Sequence, residues 1–278
     1  MRPSSGGTAV RLARLSRHRD ERFLFVPMDH SVADGPIVPA ARFNGLVRTA
    51  VEGGADAVVV HKGRAAGIEA GLLRNCSLVV HLSASTAHAR DADAKVLVGD
   101  VEEAVRLGAD AVSVQVNIGS ETESRQLADL GSVADACRRW NVPLLAMVYP
   151  RGPRITDPHD PALLSHVVNV AADLGADLVK TTWAVPLERM ADVVESCPIP
   201  VLAAGGPSNP GVDPVAYATG VMAAGCAGLA IGRTFFESSS PARVIRALSA
   251  VVHRAPAAAG HDTLPADPLD PARPVPVR

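Results

Sequence analysis

Apolar residues fall into short continuous runs of strand length, separated by stretches in which they recur every three or four positions. Arg22 to Met28 is the first run and closes on Asp29-His30. Ala40 to Glu52 follows with helical spacing, Phe43, Leu46, Val47 and Ala50 sharing a face that stops at Gly53-Gly54. The alternation then continues. Ala55–His61, Ser77–Leu82, Ala109–Val116 and Val142–Tyr149 read as strands, as do the run ending at Lys180, Pro200–Ala204 and Gly228–Ile231. Between them, Val101 to Leu107 reads as a helix ending at Gly108. Ser120 with Glu123 predicts a capping box opening the helix that carries Leu127, Leu130, Val133 and Cys137. Asp160-Pro161 predicts a cap and a first-turn proline for the helix carrying Leu163, Leu164, Val167, Val168 and Ala171. Val10 to Arg19 has the spacing of a short helix.

A weak repeat runs through this order. Gly54-Ala-Asp-Ala-Val, Gly108-Ala-Asp-Ala-Val, Gly175-Ala-Asp-Leu-Val and Gly225-Cys-Ala-Gly-Leu precede the second, fourth, sixth and eighth strands. Eight strands alternating with helices, with no room for a long insertion, predict an α/β protein with a single (β/α)8 TIM barrel. An open doubly wound sheet is the alternative, but no G-x-G-x-x-G follows the first strand. The expected organisation is an N-terminal extension over 1–20, the barrel over 21–254, and a disordered tail over 255–278 rich in Ala, Pro and Asp.

Composition narrows the function classes. Aromatics are 3% of the 278 residues, so Ala, Val, Leu and Ile must build the core. A net charge of -2 leaves no broad basic surface for nucleic acid or a membrane, which favours small-molecule chemistry. Cys76, Cys137, Cys197 and Cys226 are far apart and read as reduced thiols. With no apolar leader before Phe23 and no membrane-length run, a cytoplasmic protein is expected. Barrels of this size often associate, and a homo-oligomer is expected. Among 27 basic residues only Lys62, Lys95 and Lys180 are lysines. An amine can lose its proton when buried and a guanidinium cannot, so a lysine closing an apolar strand points to a nucleophile. Snorkelling to water is the plain alternative.

Barrel chemistry sits at the carboxyl ends of the strands. Lys180, Tyr149 and Asp29 would place an amine, a phenol and a carboxylate there, the means to form an iminium with a ketone and move protons around it. Gly205-Gly206 and Gly232-Arg233, after the seventh and eighth strands, have the make-up of a phosphate cradle. His30, His61 and His81 with Asp29 leave open a metal site, the chemistry of a metal-dependent aldolase or hydrolase. Lys62 is the competing Schiff-base lysine, expected to be more solvated in its loop. Lys95 is expected far from the mouth.

These residues make the chain resemble the archaeal-type class I aldolases, and in particular the 2-amino-3,7-dideoxy-D-threo-hept-6-ulosonate synthases. The matching stretches are Val26-Pro-Met-Asp-His30 with Gly35-Pro36, Val60-His-Lys-Gly63, Val114 to Glu123, Leu145 to Gly152, Val179-Lys-Thr181, Ala204-Gly-Gly-Pro207 and Ile231-Gly-Arg233. The resemblance implies Lys180 as Schiff-base lysine, Tyr149 as proton donor and Asp29 as proton acceptor. It implies a sugar-phosphate pocket lined by His30, Ser31, Val32, Ala33, His61, Pro150 and Arg151, and phosphate held by Gly205, Gly206, Gly232 and Arg233. Asn117 fits the synthase branch and is expected to touch substrate. Ser31, where the family usually has glycine, and Trp183 are departures expected to shape the pocket. Implied too are a phosphorylated ketone donor, L-aspartate 4-semialdehyde as acceptor, and no metal or other cofactor. A fructose-1,6-bisphosphate aldolase and a non-catalytic phosphate-ligand sensor are the alternatives.

Overall fold

The computed structural model describes residues 6–205 and 213–253, which form one closed parallel barrel. Its strands are β1 Phe23–Pro27, β2 Ala57–Val60, β3 Ser77–His81, β4 Ala111–Ile118, β5 Leu144–Pro150, β6 Leu178–Thr181, β7 Val201–Ala204 and β8 Gly228–Ala230. Neighbours follow chain order, and β1 closes on β8 through Phe23 opposite Gly228. All eight strands lie within one or two residues of the runs in the sequence.

Alternation divides each strand between two cores. Leu24, Val58, Val80, Ala146 and Val179 face outward, under the helices. Phe23, Phe25, Val59, Val79, Leu145, Met147, Leu178, Leu202 and Ala230 fill the interior. Parity therefore matters at the open end. Asp29, His61, His81, Gln115, Tyr149 and Lys180 share the parity of inward residues on their own strands, so the pleat that fills the barrel also aims them at its mouth.

The repeat has a structural meaning at the other end. Gly54, Gly108, Gly175 and Gly225 hold φ between 85° and 100°, where a side chain would be strained. In three of the units the following aspartate then grips a leucine on the preceding strand. Asp56, Asp110 and Asp177 accept from the backbone N–H groups of Leu24, Leu78 and Leu144 at 2.7, 3.2 and 2.9 Å. Their own N–H groups donate to the carbonyls of the same leucines. Each Ala-Asp unit thus fastens adjacent strands.

Three features differ from the sequence reading. The first helix spans Gly7–Leu15 and buries Leu12 and Leu15 in the interior cluster, so part of the expected extension belongs to the barrel. The helix after β4 starts at Glu123, without the expected capping box. Instead the Glu123 carboxylate accepts from Gly119 N–H at 2.6 Å, and Ser120 Oγ accepts from Thr122 N–H. The connection after β3 does hold an insertion, a ribbon pairing Ser83–Ala84 with Val96–Leu97. The Asp160 cap forms as expected, accepting from Ala162 and Leu163 N–H. The expected disordered tail lies outside the described residues. Among them, no helix is long and apolar enough to cross a membrane.

At the closed end, His253 bridges two carboxylates, with Nδ1 2.8 Å from Asp20 and Nε2 3.2 Å from Asp56. Burial works to lower its pKa, but Asp56 and Asp20 raise it above 6.5. Stability from this clasp is fully present below the unfolded pKa and lost as pH rises through the folded value. The Tm should therefore fall as pH rises above about 6.5, and His253→Gln should flatten that limb, as a melt series would show; an unchanged limb would contradict the clasp.

Candidate active site

Lys180 is set by the register of β6. Leu145 pairs with Leu178 and Met147 with Lys180, while Lys180 pairs with Leu202 on the other side. The lysine stem thus rises from an apolar layer, and the residue is 8% exposed. Tyr149 stands one inward position above Met147 on β5, is buried, and carries the Arg151 guanidinium 4.5 Å over its ring. The Arg151 turn is tight. A Cβ on Gly152 would lie 1.9 Å from the Gly119 carbonyl, so only glycine lets the two loops touch.

Asp29, at the end of β1, sits among positive and polarisable groups. Burial pushes its pKa up, yet His81, His30, Lys180 and His61 outweigh that and hold it below 3.8. The histidine pKa values are lowered too, which for them favours the neutral form. Burial drives His81 down to about 4 against the pull of Asp29, and lowers His30 and His61 as well. At neutral pH the mouth therefore holds a carboxylate and three neutral imidazoles. His81 Nδ1 meets Ser113 Oγ at 2.8 Å, and its Nε2 lies 3.8 Å from Asp29. His61 Nδ1 lies 3.1 Å from the His81 carbonyl.

These groups open on a cavity of about 750 Å³. Asp29, Tyr149 and Lys180 line it together with His30, Val32, Ala33, His61, His81, Pro150, Arg151, Trp183, Gly205, Gly232 and Arg233. Trp183 is wedged between His159, 4.5 Å away, and Tyr217, 5.9 Å away, with its carbonyl 2.7 Å from His159 Nδ1. Gly206 lies outside the described residues. Ser31 is not among the lining residues.

Asn117 requires a correction. It has inward parity, but the turn of the ribbon lies over it, and it is fully buried outside the cavity lining. Its Nδ2 donates to the Asp93 carbonyl at 2.9 Å and its Oδ1 accepts from Gln115, so its amide is occupied by protein. Lys95 is corrected in the other direction: it lines the cavity it was expected to be far from. Lys62, the rival nucleophile, pairs with Glu103 at 3.0 Å and does not line the cavity. Among the described residues, His18, Asp56 and His253 at the closed end form the one group of three or more metal-type donors lying within 4.8 Å of one another. Asp29 and the three mouth histidines form no such group.

A buried lysine, a buried tyrosine and an ionised aspartate facing one cavity at the carboxyl end of a (β/α)8 barrel define an enzyme of the aldolase type. The chain belongs to the DeoC/LacD aldolase family, whose model matches residues 23–238. It is 48% identical over 246 residues to a 2-amino-4,5-dihydroxy-6-oxo-7-(phosphonooxy)heptanoate synthase of Streptomyces griseus, covering 88% of this chain and 90% of that protein. It is 39% identical over 250 residues to a 2-amino-3,7-dideoxy-D-threo-hept-6-ulosonate synthase of Halobacterium salinarum, covering 90% of this chain and 93% of the relative. Among solved structures, an archaeal fructose-1,6-bisphosphate aldolase with its catalytic lysine bound to a carbinolamine intermediate superposes with a TM-score of 0.78. That match is 25% identical and covers 89% of this chain and 99% of the other.

Proposed function

We propose that the enzyme is a metal-independent, Schiff-base aldolase that joins a phosphorylated ketone to L-aspartate 4-semialdehyde. The donor is dihydroxyacetone phosphate or a ketose phosphate that delivers it. The observation that carries this reading is Lys180, a buried inward-facing amine with Asp29 and Tyr149 on the same cavity. Lys180 Nζ attacks the donor ketone, and loss of water leaves an iminium. Removal of a proton from the adjacent carbon gives an enamine, whose carbon attacks the acceptor aldehyde. Water then hydrolyses the imine and frees the lysine. Asp29, ionised at neutral pH, serves as proton acceptor, and Tyr149 as donor to the developing alkoxide.

The Streptomyces relative's name supports this pairing by carbon count. A 2-amino-4,5-dihydroxy-6-oxo-7-(phosphonooxy)heptanoate divides into a three-carbon ketone phosphate and a four-carbon amino-acid aldehyde joined between carbons 4 and 5. In this reading Gly205, Gly206, Gly232 and Arg233 hold the phosphate, as glycine N–H groups and a guanidinium suit that anion. His30, Val32, Ala33, His61, Pro150 and Trp183 shape the remaining wall. The enzyme works in the cytoplasm, as a homo-oligomer. Burial pushes the thiols of Cys76, Cys137 and Cys226 up to about 12, which accords with reduced cysteines.

The archaeal aldolase likeness favours one second reading, cleavage of fructose 1,6-bisphosphate by the same covalent chemistry. Two incubations separate them. Dihydroxyacetone phosphate with aspartate semialdehyde should be consumed to a seven-carbon product, while fructose 1,6-bisphosphate should turn over at least about tenfold less efficiently; the reverse order would establish the second reading.

A further inference from the structure

The ribbon after β3 stands across the barrel from β7, because four strand positions separate them in a ring of eight. Its turn is fixed by buried amides. The Asp93 carbonyl accepts from both Asn117 Nδ2 and Gln126 Nε2 at 2.9 Å, and Gln126 Oε1 in turn accepts from Asn117 N–H at 2.8 Å. Ala87 N–H ties the same turn to the Ala33 carbonyl at 3.0 Å. Asn117 and Gln126 are both fully buried, so these hydrogen bonds form in a low-dielectric setting and hold the turn in one position over the cavity.

The turn presents Lys95 and Asp93 to the cavity, beside Arg151 and Asp34. Lys95 Nζ donates to Ser85 Oγ. Among the described residues, none of Lys95, Arg151, Asp93 and Asp34 takes part in an ion pair. Two cations and two carboxylates thus face one end of the cavity without neutralising each other at contact distance. A second phosphate would meet the cations but be repelled by the carboxylates. A zwitterion, carrying both signs on one carbon, satisfies both.

We propose that this turn is the acceptor subsite: Lys95, with Arg151, takes the α-carboxylate of an amino-acid aldehyde, and Asp93 takes its α-ammonium. Asn117 and Gln126 are positioning residues that hold the turn. The inference rests on the proposed aldol reaction and agrees with its geometry. In the product the ketone lies next to the phosphate-bearing carbon, and the amino-acid carbon lies four carbons away from it. Lys180 on β6 is beside the β7–β8 end, and the ribbon is opposite.

The test compares acceptors on the full-length enzyme with dihydroxyacetone phosphate as donor. The acceptors are aspartate semialdehyde, succinate semialdehyde, which lacks the amine, and propanal, which lacks both charges. Lys95→Met should raise the KM for aspartate and succinate semialdehydes by about 10- to 100-fold and leave propanal within about twofold. Asp93→Asn should weaken aspartate semialdehyde alone. Asn117→Ala should raise the KM for aspartate semialdehyde while borohydride trapping of the donor on Lys180 proceeds at the wild-type rate. Equal effects of Lys95→Met on all three acceptors, or none on any, overturn the subsite. Wild-type enzyme that traps the donor but turns over no amino-acid aldehyde overturns the underlying reaction, and the subsite with it.

Discussion

Replacing Lys180 by methionine is expected to lower kcat by about four orders of magnitude or more while leaving the fold intact. Among the described residues Lys180 is the one buried lysine: Lys62 is paired with Glu103 away from the cavity lining, and Lys95 lines the cavity from the ribbon turn with its amine donating to Ser85 Oγ. Methionine matches the unbranched lysine stem among Leu178, Met147 and Leu202, while Asp29 keeps the three mouth histidines beside it. The Tm should therefore stay close to that of wild type. A second consequence follows from charge. Lys180 helps keep Asp29 ionised, so the Asp29 pKa should climb in the variant. Steady-state kinetics beside a thermal melt tests the pair of effects. Activity within about tenfold of wild type would mean that another group carries the covalent step.

The second large effect is expected at Tyr149. Tyr149→Phe keeps the ring under Arg151 and the packing above Met147, and removes only the hydroxyl. A positioned proton donor typically contributes about 10²–10⁴ in rate, so kcat should drop by that amount. The imine with the donor should still form, because the attacking amine is untouched. The two variants thus divide the reaction: one loses the adduct, the other retains it and stalls at proton transfer. Measuring single-turnover adduct formation beside steady-state kcat separates these. Loss of both together would make Tyr149 a structural partner of Lys180 and not a proton donor.

Much of the barrel could be read from the chain because each layer obeys a simple rule. Period-two alternation sorts Leu178 and Lys180 inward and Val179 outward, and the same parity brings Asp29 and Tyr149 to the mouth. Glycines at helix ends, with the aspartates behind them, marked the strand starts. What escaped was tertiary. The two-residue ribbon strands are too short to show a period, so Lys95 could not be placed over the cavity, nor Asn117 beneath a turn. A signal for Lys95 did exist: the scarcity of lysine that drew attention to Lys180 applied equally to it. His159 was missed because its partner, Trp183, lies 24 residues away on another loop. The first helix was read as separate because nothing in Leu12 and Leu15 says which core they enter.

A covalent imine on Lys180 would be trapped by borohydride reduction in the presence of dihydroxyacetone phosphate and located by peptide mass spectrometry. One adduct is expected, with the mass of the reduced three-carbon phosphate, on the peptide containing Lys180 and absent from Lys180→Met. No adduct on that peptide, together with turnover abolished by a chelator and restored by a divalent metal, would contradict it.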